Sequence, residues 1–227
     1  MRSRFIAPLA ALFDLMLWPW RRLHLSGVHI AGATADDMPE QTALLLVANH
    51  VSWWDGFLLR DVQKRLRPGS ALLTVMSEPQ LARFPFLRWL GVIGIDSQSL
   101  TSTRAMLETL GEWRAKRRSR LVVSYFAQGR IWPSSRRPLG FERGVSVVAS
   151  RLAPVSVIPI ALHLEPLASP SPHAFVLVGE PIVFLNGSPD VAQIERAVAL
   201  LLDELRVFLD RAGEDAAEHW RDVRKLK

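Results

Sequence analysis

The sequence predicts an α/β fold, a mixed and largely parallel sheet flanked by helices, with an N-terminal amphipathic helix at a membrane interface. Three observations carry that expectation. From Thr42 onward, short β-branched or leucine-rich runs alternate with longer helical patterns. Several of the runs are apolar throughout, as strands covered on both faces should be. Ahead of them lies an apolar, tryptophan-bearing stretch bracketed by arginines. The division expected is a membrane-associating segment over 1–40, one α/β domain over 41–212 and a charged tail over 213–227.

The amino-terminal stretch, Phe5 to Trp20, reads FIAPLAALFDLMLWPW, with Pro8, Asp14 and Pro19 inside it, Arg2 and Arg4 before it and Arg21 and Arg22 after. A transmembrane helix needs ~20 apolar residues, and a central aspartate costs ~2.5–3.5 kcal/mol on insertion scales, so spanning is disfavoured. Lying in the interface suits it better. Trp18 and Trp20 are rings that settle at headgroup depth, and each flanking arginine gains ~1 kcal/mol near anionic lipid. A signal peptide would need a small-residue cleavage site, which does not follow the run. The competing structural reading is an ordinary core helix.

The strand candidates are Ala43–Ala48, Ala71–Met76, Val92–Asp96, Leu121–Phe126, Val155–Leu162 and Phe175–Val178. Helical patterns lie between them at Trp53–Leu66, Pro79–Leu90, Ser102–Arg117 and Phe141–Leu152. Ala168–Pro172 reads as a loop between strands. The last helix is the clearest: Ser188 as cap, Pro189 in the first turn, and a stripe of Ile194, Val198, Leu201, Leu202, Leu205, Phe208 and Leu209 before Gly213. Trp220 reads either as a second interfacial anchor or as a loose end.

Composition removes whole classes of function. With 227 residues, 49% hydrophobic and 22% charged, the chain is neither disordered nor collagen-like. It has no cysteine, which excludes disulfides, thiolate zinc sites, iron–sulfur clusters and cysteine nucleophiles, and fits a reducing compartment. Its net charge of +6 points to an anionic partner surface, nucleic acid or phospholipid. Only Lys64, Lys116, Lys225 and Lys227 are lysines; the basic side chains are otherwise arginine, the better phosphate fork. Nucleic acid is not expected: the one basic cluster, Arg114–Arg118, suits a helix end complementing its dipole, and no nucleic-acid-binding motif accompanies it. The six histidines lack metal-ligand spacing, and no P-loop or Gly-x-Gly-x-x-Gly turn is present. No cofactor is expected.

Chemistry concentrates where the run Ala43–Ala48 ends, at Asn49-His50-Val51-Ser52-Trp53-Trp54-Asp55. Ligands bind at strand ends in α/β folds. A carboxylate on one imidazole nitrogen fixes the tautomer and frees the other nitrogen to take a proton, so His50 reads as a general base oriented by Asp55. The bland alternative gives Asp55 to the helix dipole and His50 to a loop hydrogen bond. Two more loops close apolar runs, Gly91-Val92-Ile93-Gly94-Ile95-Asp96 and Tyr125-Phe126-Ala127-Gln128-Gly129-Arg130. A serine elbow is missing: Gly144-Val145-Ser146-Val147-Val148 lacks the final glycine. Trp53 and Trp54 read equally as acyl-channel lining or core.

In order and spacing, these blocks, with Phe141-Glu142-Arg143-Gly144 and Val157-Ile158-Pro159-Ile160, resemble the glycerolipid acyltransferase family typified by lysophosphatidate acyltransferase. The resemblance spans about Ala43 to Leu162. It implies that His50, with Asp55, deprotonates an acceptor hydroxyl that attacks an acyl-CoA or acyl carrier protein thioester without an acyl-enzyme. It further implies substrate contacts from Asp96, Gln128, Gly129, Arg130 and Arg143, a lysolipid acceptor, and association with anionic lipid at the cytoplasmic face of the inner or plasma membrane. Four departures stand out. The family's glutamate is Gln128, its proline is Ala127, its arginine is displaced to Arg130, and Ser97 follows Asp96 where arginine is usual. They leave open a lysophospholipid, aminolipid or glycolipid acceptor in place of a phosphate monoester. A lipid-binding member impaired in catalysis is the other alternative.

Overall fold

The computed structural model describes residues 4–220. In chain order the elements are α1 (Ala7–His24), β1 (Gly27–Gly32), β2 (Ala43–Ala48), α2 (Asp55–Leu66), β3 (Ala71–Ser77), α3 (Glu78–Arg83), β4 (Val92–Ile95) and α4 (Leu100–Arg117). There follow β5 (Leu121–Phe126), α5 (Gly144–Leu152), β6 (Val155–Glu165), β7 (His173–Val178), β8 (Ile182–Phe184), α6 (Val191–Ala212) and α7 (Ala216–His219).

The strands form one sheet in the order β1-β7-β6-β2-β5-β3-β4, with β8 added against β6. It is mixed and mostly parallel, as expected: β2 runs parallel to β5 and β6, β3 to β4 and β5, and β1 to β7. Among the described strands, β6 pairs antiparallel with β7 and with β8. The ALLLVA run is uniformly apolar because β2 is central and covered twice. Its alternate residues Ala43, Leu45 and Val47 enter one core layer, and Leu44, Leu46 and Ala48 the other. On the first face lie Met106 and Leu110 of α4, Val145 and Val148 of α5, and the stripe of α6. On the second lie Leu58, Leu59, Val62 and Leu66 of α2. Burying each such side chain fully stabilises by ~1.5–3 kcal/mol.

Several boundaries differ from expectation for local reasons. The single helix expected over Pro79–Leu90 is broken into α3 and a 3₁₀ segment, Pro85–Trp89, because Phe84 precedes proline and is non-helical at φ −133, ψ 64. Helix α6 is capped by Asp190, whose side chain accepts from the Ala192 N–H at 3.0 Å, and not by Ser188. The Ser188 hydroxyl instead pairs with that of Ser150 at 2.7 Å. Strands β1 and β8 were not expected. Thus β1, within 1–40, is part of the sheet, paired along its whole length with β7. Trp220 is neither anchor nor loose end: it is 3% exposed and packs its ring on Phe175 and Phe208. Arg2 and the basic end of the tail, 221–227, lie outside the described residues.

Helix α1 packs across α2 with an unusual distribution of polarity. Asp14, the residue that argues against spanning, accepts from Arg60 Nε at 2.6 Å and pairs with Lys64 at 2.8 Å, while Arg21 pairs with Asp61. Burial alone would raise the Asp14 carboxyl, but the Arg60 and Lys64 cations outweigh it and hold it below the usual range. Leu12, Leu15, Met16, Trp18 and Leu23 are exposed on the same helix. Among the described residues no helix is long and apolar enough to cross a membrane.

Candidate active site

The site is built outward from the end of β2. Asn49, the first residue past the strand, is buried and clamps it to β6: its Nδ2 donates to the Leu162 carbonyl and its Oδ1 accepts from the Leu162 N–H, both at 2.8 Å. The chain then turns, and His50 is held at three points. Its backbone N–H donates to Gln128 Oε1 at 2.7 Å, its carbonyl accepts from the Trp132 N–H at 2.8 Å, and its ring stacks on Phe126 with centroids 4.2 Å apart.

The imidazole meets Asp55 as its spacing predicts. His50 Nδ1 lies 2.7 Å from Asp55 Oδ2. That same oxygen accepts from the N–H groups of Val51 and Ser52 at 2.6 and 2.9 Å, and Oδ1 accepts from the Ser52 hydroxyl. Asp55 is 0% exposed, while the His50 side chain is 18% exposed. An acceptor surrounded by donors requires the His50 Nδ1 to carry a proton, which leaves the Nε2 lone pair available; no hydrogen bond engages Nε2 among the described residues. The site therefore holds one fixed imidazole on a partly exposed side chain. Ser52 was not singled out from the sequence, although Ser-x-x-Asp at a helix start is the spacing at which side chain and backbone exchange hydrogen bonds.

Gln128 is buried and bridges two backbone segments: Oε1 accepts from His50 N–H, and Nε2 donates to the Leu139 carbonyl at 2.8 Å. A glutamate could make the first bond but not the second. Gly129 follows in the turn with φ +67, and a Cβ there would sit 2.9 Å from Glu142 Oε1. Arg130 and Arg136 both lie over the Trp132 ring, at 4.2 and 3.4 Å from its centroid. Arg143 is exposed just ahead of α5. Beneath this loop, Tyr125 is pushed up to about 12 by burial and by the Glu142 carboxylate.

Asp96 is not gathered with His50. It caps a turn at the end of β4, accepting from Gln98 N–H at 3.0 Å while its own N–H donates to Ser102 Oγ at 2.9 Å. Strand β4 is the third strand from β2 in the sheet, roughly 14 Å away at ordinary strand spacing. Trp53 is exposed and packs edge-on against Trp20 at 4.9 Å, while Trp54 packs against the α2-side core. A groove of about 520 Å³ lies between α1 and α2, with Leu15 and Trp18 on one wall and Phe57 and Arg60 on the other; neither His50 nor Asp55 lines it.

A His–Asp pair thus stands at a central strand exit of a mostly parallel α/β sheet. The family model described as Acyltransferase matches residues 29–163, more than half of the chain, and the chain belongs to that family. The fold is similar to the crystal structure of the 1-acyl-sn-glycerophosphate (LPA) acyltransferase PlsC from Thermotoga maritima, with 18% identity, a TM-score of 0.56, and coverage of 79% of this chain and 72% of that one. At that identity the likeness establishes the fold. A similarity to the pilus retraction motor PilT with bound ADP, at 11% identity, a TM-score of 0.29 and coverage of 82% and 62%, carries no argument. Comparison with curated proteins returns no match.

Proposed function

We propose that this acyltransferase moves a fatty acyl group from acyl-CoA or acyl carrier protein to the hydroxyl of a lysophospholipid or related lysolipid at a membrane surface. One observation carries the reading: the His50 ring is fixed through Nδ1 by a fully buried Asp55, and its side chain is partly exposed. Nε2 takes the proton of the acceptor alcohol as its oxygen attacks the thioester carbonyl. The tetrahedral adduct then collapses with loss of the thiol, which recovers the proton from His50. A thioester is already activated, so positioning plus a general base contributing ~10²–10⁴-fold supplies the needed rate.

Gln128, Gly129, Arg130 and Arg143 are assigned to the substrate side of this loop cluster. Arg130, lying over Trp132 beside Arg136, suits an anionic headgroup or the phosphates of the carrier. Asp96, further along the same sheet edge, meets only an outer part of an extended substrate. Because Gln128 has both polar ends engaged with backbone, it is not free to pair an arginine. That favours a phosphodiester, amino-lipid or sugar hydroxyl acceptor over a phosphate monoester.

Membrane association rests on the outward residues of α1 and on a chain of touching rings: Trp20 with Trp53, Trp53 with Phe57, Phe57 with Phe13, and Phe13 with Phe86, each pair within 4.7–5.9 Å. Such rings favour the headgroup layer, and arginines flank them. The cytoplasmic face is proposed because the chain lacks cysteine and its donors are thioesters. The test is a panel assay with acyl-CoA and acyl carrier protein as donors and lysophosphatidate, lysophospholipid diesters, aminolipid and glycolipid alcohols as acceptors. Acylated product from a diester or non-phosphate acceptor is expected; no product from any pair would reject the reading.

A further inference from the structure

A second oriented imidazole plays no part in the reaction above. His163, near the end of β6, lies one residue past the Leu162 peptide that Asn49 clamps. Its Nδ1 is 2.9 Å from Ser134 Oγ, and its Nε2 is 2.9 Å from Glu165 Oε2. Glu165 sits two residues along the same strand, so both side chains project from one face of β6. Ser134 lies in the turn Pro133–Arg136, closed by the Arg136 N–H to the Pro133 carbonyl at 3.0 Å, and its own carbonyl accepts from Arg137. Trp132, two residues earlier, anchors that loop to the His50 carbonyl.

The order of partners fixes the protons. The Glu165 carboxylate accepts, so Nε2–H donates; Nδ1 then carries the lone pair, and the Ser134 hydroxyl donates to it. A hydroxyl within reach of a base that a third group orients is the arrangement that makes serine a nucleophile. The His163 side chain is 13% exposed and that of Glu165 40%, and Ser134 is half-buried, so the cluster lies at the surface and not in the core. The sequence shows no sign of it, since Ser134 lies outside any elbow motif and is brought to His163 only by the fold.

We propose that Ser134, His163 and Glu165 form a second acyl-accepting centre that hydrolyses acyl thioesters or activated esters. Ser134 Oγ attacks the carbonyl carbon and gives its proton to His163 Nδ1. The C–S bond breaks, and the thiol leaves with that proton, so that the acyl group becomes an ester of Ser134. Water then attacks, transferring a proton through His163 to the departing Ser134 oxygen, and carboxylic acid is released. Ser134 and His163 are catalytic residues; Glu165 is a positioning residue. The acyl substrate class is shared with the proposed function, but the centre does not use His50.

The experiment treats the full chain with a fluorophosphonate and, separately, with p-nitrophenyl acetate, and maps the adduct by mass spectrometry. An adduct on Ser134 is expected, forming roughly 10²-fold or more slowly in His163→Gln and absent in Ser134→Ala. Glu165→Gln should slow labelling and Glu165→Asp restore part of the rate, a rescue that a merely structural carboxylate would not give. No adduct on Ser134, labelling of His163→Gln at the wild-type rate, or loss of the adduct in His50→Ala would each overturn the proposal. An adduct on Ser134 in a protein that acylates no lysolipid would support this centre while rejecting the reading of the previous subsection.

Discussion

The two ends of β2 are both secured by polar side chains, and they differ in what those side chains leave over. At the amino end the Arg67 guanidinium donates to the carbonyls of Pro39, Thr42 and Ser119, and the Thr42 and Ser156 hydroxyls pair at 2.7 Å. These groups satisfy backbone acceptors and one another, so this end is structure. At the carboxyl end Asn49, Gln128 and Asp55 do the same work of satisfying backbone groups, yet the partly exposed His50 keeps a ring nitrogen with no hydrogen bond among the described residues. The proposed site is the end of a well-satisfied strand where one polar atom is left without a partner among the described residues.

Breaking the carboxyl end should give the largest effect. Asp55→Asn replaces one of the two carboxylate oxygens, both of which face donors, with an NH2 donor and so no longer sets the His50 tautomer, and acyl transfer is expected to fall ~10²–10⁴-fold; retained turnover would remove Asp55 from the mechanism. Breaking the amino end should do the reverse. Arg67→Met leaves three carbonyls without their charged donor and is expected to cost about 2–4 kcal/mol in denaturant unfolding, with activity per folded molecule unchanged. A loss of specific activity there would show that the two ends are coupled.

Gln128→Glu sharpens the comparison further, because it installs the acidic side chain usual in the family. Here it removes the donor to the Leu139 carbonyl and points a carboxylate at that oxygen, so a loss of about 1–3 kcal/mol is expected in the same unfolding assay. Unchanged or raised stability would mean that the bridge between Gln128 and Leu139 contributes little.

The smallest effect lies at the sheet edge, away from both ends. His29 is held below its ordinary value of 6.5 by burial and by neighbouring His173. The fold prefers its neutral form, so this contribution is complete above the unfolded value and is lost as pH falls through the lower folded one. His29→Phe should therefore flatten the decline of unfolding midpoint below pH ~6.5; an unaltered slope would assign that decline elsewhere.

The site was legible in the sequence wherever its geometry is local. His50 and Asp55 are five residues apart across one strand-to-helix turn, and the apolar run before them marks the strand. The Gln128 bridge was not legible, since its partners Leu139 and His50 meet only through tertiary packing. Strand β1 escaped because GVHIAG is a half-buried edge strand with two glycines and a histidine, which breaks the apolar run that betrays the inner strands. Trp220 misled because it sits among charged residues, and only the fold delivers it to Phe175. Asp14 was read as an obstacle to spanning; its partners Arg60 and Lys64 lie on another helix.

In the proposed reaction His50 moves a proton and does not hold the acceptor. Its most direct test measures acceptor binding and turnover side by side in His50→Gln, with a lysolipid the wild-type protein acylates. Binding within about twofold of wild type with turnover down ~10²-fold or more is expected of a general base. Wild-type turnover, or turnover and binding lost together, would contradict it.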